Sequence, residues 1–213
     1  MKESTLQPDT KRSAYHKFLL CCGLIGSILF IALYFIEAAL AEGYSSYRQA
    51  ISDLEKVKYG WMQSANFIQL GVFICLFAAG LKLELKNGLL AFWLPFFQCL
   101  VALGLILSGL FIHDPFHTIA SMIAFIPLVI SFFLFAGVFY GDPRWRGWMT
   151  YSIISAIAMM VFLALFGMTK TNGGPSGLFE RLAAGVRSLW SLFFTIRLLK
   201  GVRLTQPERK SIH

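Results

Sequence analysis

The sequence predicts an all-α fold, a polytopic membrane bundle of six transmembrane helices with both termini cytoplasmic, and three observations carry that prediction. The first is composition. Of 213 residues, 57% are hydrophobic and 14% charged, with a mean hydropathy of +0.66, whereas soluble chains run at roughly 45–50% apolar and about 25% charged. The second is layout, because the apolar residues fall in six blocks of the length that a bilayer-spanning helix needs, roughly 20 residues. The third is the distribution of lysine and arginine, which sets orientation. The six blocks leave only tails and short connections, so there is no room for a second domain. A nucleic-acid partner, a secreted disulfide scaffold and a disordered chain are all excluded.

Residues 1–17 form a polar, basic N-terminal tail, expected to be cytoplasmic and poorly ordered. The transmembrane domain, 18–200, opens with an apolar block at 18–40, longer than a signal-peptide core and lacking a cleavage site, hence an uncleaved first helix. The polar stretch AEGYSSYRQAISDLEKVKYG leads to the second helix at 61–81. KLELKNG separates it from the third at 89–112, and HDPFHT precedes the fourth at 119–140. GDPRWRG introduces the fifth at 148–168, and KTNGGPSG the sixth at 178–199. Residues 201–213 form a basic cytoplasmic tail. Backbone polar groups must pair internally in hydrocarbon, and blocks of this length without period-2 alternation pair as helices, not barrel strands. Cys21, Cys22, Cys75 and Cys99 all lie inside apolar blocks, without metal or redox spacing, so no disulfide is expected.

With the N-terminus inside, thirteen lysines and arginines fall on the cytoplasmic side and six on the other. Six acidic residues balance the six outer basic ones, so the whole net charge of +8 lies on the inner side and acts as an orientation signal. The expected location is the plasma (inner) membrane.

This topology gathers the unusual polar residues on the outer face. Ser52, Asp53 and Glu55 lie in the first outer connection, His113, Asp114 and His117 in the second, and Glu180 and Arg181 at the mouth of the sixth helix. Ionisable groups near a membrane are costly and usually face a cavity or a partner. On the sixth helix Glu180, Ala184, Arg187, Ser191 and Thr195 make one small and polar stripe that should face the interior. Arg187 needs a carboxylate or a lipid phosphate at its depth, and a Glu180–Arg187 arrangement is expected.

Three segments resemble a known family. YSSYRQAISDL, the outer element with Asp114, Pro115 and His117, and Gly177-Leu178 with Glu180-Arg181 are similar to domain-of-unknown-function family 998, over about residues 18–200. Its members are predicted six-helix integral membrane proteins of bacteria and archaea, with no established activity to carry over. The resemblance implies that Ser52, Asp53, Asp114, His117, Glu180 and Arg181 occupy the family's characteristic positions. His113 departs from that pattern.

Each motif also has a plain structural reading. Ser52-x-x-Glu55 has the form of a capping box, Asp114-Pro115 that of an N-cap followed by proline, and Asp142-Pro143 opens the fifth helix in the same way. Capping does not account for His117 or for Glu180 and Arg181. His113 and His117, with Asp114, offer a weak ligand set for a divalent metal such as zinc. A charge relay through His117, Asp53, Asp114 and Glu180 is the enzymatic alternative. No nucleotide loop, serine elbow or zincin motif is present.

The leading expectation is a pocket on the outer face that binds a lipid headgroup or small anionic molecule through Ser52, Asp53, His117, Glu180, Arg181 and Arg187. The alternatives are a membrane-embedded hydrolase or transferase acting on lipid, with or without a metal, and an accessory subunit of another membrane protein. Whether the chain is an enzyme, and whether it takes a protein partner or forms a homo-oligomer, stays open.

Overall fold

The structure is a computed structural model that describes residues 12–85 and 88–204. Much of the two expected tails therefore lies outside the described residues. Six helices follow in chain order: α1 Ala14–Leu40, α2 Trp61–Glu84, α3 Leu89–Leu110, α4 Phe116–Phe139, α5 Trp148–Thr171 and α6 Ser176–Leu199. Each is long and apolar enough to cross a membrane, which makes the chain a multi-pass membrane protein, and no strand occurs among the described residues.

The helix ends differ from expectation by up to four residues, each for a physical reason. α1 starts at Ala14, because Ser13 accepts from the His16 backbone N–H at 3.1 Å and so caps a helix that begins within the basic segment. α2 runs on to Glu84, whose carboxylate is buried among cations. α4 starts at Phe116, with Asp114 Oδ1 accepting from the Phe116 N–H at 2.7 Å. Asp142 does not open α5. It caps a separate 3-10 turn, Pro143–Trp145, and α5 begins after Gly147, whose φ of 82° suits only glycine.

Each helix packs on the next in sequence, and α6 returns to pack on α1, so the six close into a ring. α3 and α4 approach closely. A Cβ on Gly104 would lie 2.3 Å from the Ala124 nitrogen, so glycine is what allows the two backbones to meet. α5 is the loosest member and buries only Ser152, Ser155, Ala156 and Met159.

Six crossings place the start and finish of the described chain at one end of the ring, and Glu84 clamps them there. Its carboxylate accepts from Arg12 Nε at 3.0 Å, from Arg203 Nη1 at 3.3 Å and from the Leu204 N–H at 3.2 Å. Arg12 also donates to the carbonyls of Leu198 and Val202. Beside this clamp, Trp145, Trp148, Trp190, Phe135 and Phe139 stack around Phe194 as an aromatic core. The other end carries the long 41–60 connection. There the candidate chemistry lies.

A latched loop above a central cavity

Two of the sequence segments singled out above prove to be one device. The first turns of α6 hold the 44–51 loop through its backbone. Ser176 Oγ donates to the Arg48 carbonyl at 2.6 Å, and the Leu178 N–H to the Tyr47 carbonyl at 3.0 Å. Arg181 Nη1 donates to the carbonyls of Ser46, Gln49 and Gly177 at 2.8, 3.1 and 3.0 Å. Its Nη2 donates to the Tyr44 hydroxyl at 2.7 Å, and the guanidinium lies over the rings of Tyr34 and Tyr44, 5.4 and 5.7 Å from their centroids. Tyr44 passes its own hydroxyl proton to the Ala50 carbonyl at 2.7 Å, and burial pushes that phenol above its ordinary pKa, so it stays a donor. Glu180 completes the latch by accepting the Ile51 N–H.

Gly177 belongs to the latch through what it lacks. A Cβ there would fall 2.1 Å from the Gln49 carbonyl oxygen and 2.6 Å from that of Ser46. Only a glycine lets the loop lie down on α6.

The loop ends in a 3-10 turn, Ile51–Lys56. The expected capping box of Ser52 and Glu55 is not what holds it. Asp53 does that, accepting from the Ala50 N–H at 2.9 Å and from Lys56 Nζ at 2.6 Å. Burial acts to raise the Asp53 pKa, but those two donors outweigh it and hold the carboxyl below its ordinary value of 3.8. Ser52 is thereby freed to face inward.

Inward is a cavity of about 570 Å³, lined by side chains from all six helices and roofed at the long-loop end by Ile51 and Ser52. Most of its wall is apolar: Phe30, Phe67, Leu70, Val101, Leu105, Leu128 and Met159. Its polar groups are Ser52, Ser108, His117, Thr118, Ser121, Lys170, Glu180, Arg187 and Ser188. Of the expected ligand-binding residues, the structure brings Ser52, His117, Glu180 and Arg187 to this one hollow. Asp53 and Arg181 stay outside it, engaged in the loop.

His117 bonds the Ser108 carbonyl through Nδ1 at 3.0 Å. A carbonyl accepts only, so Nδ1 is the protonated nitrogen, and in the neutral tautomer Nε2, 3.5 Å from Ser121 Oγ, is an acceptor. His113 points elsewhere, with its side chain 76% exposed and Nδ1 3.6 Å from Glu55. Asp114 is engaged with Phe116. His113, Asp114 and His117 do not converge, and no group of three His, Cys, Asp or Glu able to hold a metal occurs among the described residues.

Arg187 differs from Arg181 in having little to hold. Nη1 donates to Ser27 Oγ at 2.8 Å, and Ser27 passes its own proton to the Gly23 carbonyl at 2.7 Å. The expected Glu180–Arg187 pairing is not formed, and no carboxylate pairs with Arg187 among the described residues. Arg187 also lines a second hollow of about 20 Å³ next to Gln98 and Ser131, large enough for one water. Lys170, the other cation at the main cavity, lies 5.3 Å above the Phe166 ring. Lys170, Arg187 and Glu180 are the acidic and basic side chains on its wall.

The missed residues share a reason. Thr118, Ser121 and Ser188 carry no motif, and what unites them is helical register around a hollow. Spacing from His117 could have found Ser121 one turn on.

Fold and site together describe a multi-pass membrane protein, a ring of six helices with a latched loop over a mostly apolar cavity. A family model described as "Protein of unknown function (DUF998)" matches residues 24–197, and the chain belongs to that family. No curated protein and no solved structure matches it.

Proposed function

We propose that the protein is a membrane binding protein whose cavity takes an anionic headgroup or small anionic molecule. One observation carries the reading: the Arg187 guanidinium stands at an apolar hollow inside a membrane bundle with a single hydroxyl as its hydrogen-bond partner. An uncompensated cation in that position is costly, and an anion beside it removes the cost. The volume agrees with a ligand of moderate size, since small-molecule sites span about 300–1,000 Å³. Lys170 and the Nε2 face of His117 supply further polar contacts. In this proposal the cavity opens toward the outer leaflet of the plasma (inner) membrane, with both termini cytoplasmic, as the thirteen-to-six bias of basic residues requires.

Native mass spectrometry of the purified protein tests it. The wild type should carry an anionic adduct of defined mass that Arg187→Gln loses and Arg187→Lys keeps in part. Lipid extraction of the same sample separates a lipid from a soluble phosphate. An adduct held equally by Arg187→Gln overturns the reading.

The hydrolase or transferase alternative has one foothold, the acceptor Nε2 of His117 facing the same cavity as Glu180. It predicts turnover of a lipid ester that His117→Gln abolishes with the fold intact. A divalent metal would enter only with that alternative.

A further inference from the structure

We infer that the cavity is filled sideways, from the bilayer, by an anionic lipid that passes between α4 and α5. This rests on the reading of the cavity as an anion site and specifies its occupant. On α4, Thr118, Met122 and Ile126 fall one turn apart on one face. Met122 is 55% and Ile126 59% exposed on the outside of the ring, yet both line the hollow within it. On α5, Phe166, Gly167 and Lys170 line the same hollow, and Gly167 and Lys170 are exposed. Residues that belong at once to the outer surface and to the cavity wall mark an opening, and this one is lateral.

The long-loop end is roofed by residues 51–52. Ile51 and Ser52 are buried there and cover the hollow, and the latch fixes them by the Ile51 N–H on Glu180. The α5 wall is suited to parting. Its buried residues end at Met159, leaving the stretch that borders the opening without one. A Cβ on Gly167 would meet no atom within 4 Å, so the gap is real space. On α4, Pro127 has no N–H to give to the helix ladder, which weakens that helix beside Ile126.

The chemistry of the rim follows the order of a lipid. Lys170 and Thr118, nearest the long-loop end, are polar groups that a charged head meets on its way to Arg187, and Met122, Ile126 and Phe166 are the apolar side chains beside the gap that its chain occupies. A water-borne anion has no use for an apolar side door.

The test uses phosphatidylcholine vesicles doped with a phosphatidic acid whose acyl chain carries a diazirine. Illumination should label Phe30 on α1 and Leu70 on α2, across the ring from the opening. Gly167→Trp fills the gap from α5 and Met122→Trp from α4. Both should lose the interior label while keeping label on lipid-facing residues. Gly185→Trp, at another glycine with open space and no place on the cavity wall, should keep both. The two plugging variants act from opposite walls, so misfolding of one, seen by size exclusion, leaves the other to decide. Interior label unchanged in a folded plugging variant overturns the lateral route and leaves the anion site standing. If the wild type takes no interior label yet binds glycerol phosphate through Arg187, the occupant is soluble and the inference fails alone. If it binds neither, both readings fail.

Discussion

Arg181 and Arg187 lie less than two turns apart on one helix and do opposite things. Arg181 spends its Nη donors on three carbonyls and a tyrosine hydroxyl, so it belongs to the loop and not to a ligand. Its truncation to alanine should destabilise the folded protein by about 2–3 kcal/mol, since hydrogen bonds to charged groups contribute about 1.5–3 kcal/mol. Lysine should rescue little, because it lacks the planar fork. Thermal unfolding in detergent reads both. Arg187→Gln should leave the unfolding midpoint of ligand-free protein unchanged or raised, because it removes a half-buried cation with no carboxylate partner among the described residues. The pH behaviour of Asp53 follows from its depressed pKa. Its stabilisation of the 51–56 turn is present above the ordinary value of 3.8 and is lost as pH falls through the folded value below it. Asp53→Asn should cost about 1 kcal/mol at neutral pH, in the range of lost caps, and almost nothing once the wild-type carboxyl is protonated.

At the scale of elements, the latch between the 44–51 loop and the start of α6 explains why glycine, glutamate and arginine stand together there. Gly177→Ala drives a methyl into two carbonyl oxygens that Arg181 also needs. It should destabilise by about 1–3 kcal/mol, as overpacked sites do, and loosen the roof of the cavity. Hydrogen exchange at residues 44–56 should rise with little change in α2 and α3. Unchanged exchange there would show that the loop is held by something else. The six helices were legible in the sequence because twenty-residue apolar blocks have one structural solution in hydrocarbon. The residues of the latch were legible too, but their role was not. Glu180 and Arg181 read as site chemistry because nothing local could satisfy them, and their partners lie about 130 residues away on a loop backbone. A backbone carbonyl leaves no mark in a sequence pattern. Asp53 holds the turn in place of the Ser52–Glu55 box for a related reason: a capping box is written in residue types, and a 3-10 turn shifts which carboxylate reaches the free N–H.

For the whole molecule, the ring is closed at one end by ions and at the other by the latch, with the cavity next to the latch. Glu84 is the centre of the ionic closure, joining α2 to Arg12 and Arg203 from opposite ends of the chain. In the sequence it looked like one more cytoplasmic charge. Removing one partner of a buried ion pair costs about 3–5 kcal/mol, so Glu84→Gln should lower the unfolding midpoint while leaving the cavity's ligand bound in the protein that remains folded. A lost ligand at full stability would tie the two ends together in a way this architecture does not provide. The central claim is that the cavity holds an anion against Arg187. A cryo-electron microscopy structure in native-lipid nanodiscs tests it most directly. The account predicts elongated non-protein density in the hollow, its polar end within hydrogen-bonding distance of Arg187 and its tail between α4 and α5. A hollow filled by protein side chains, with Arg187 paired to a carboxylate of the chain, would contradict it.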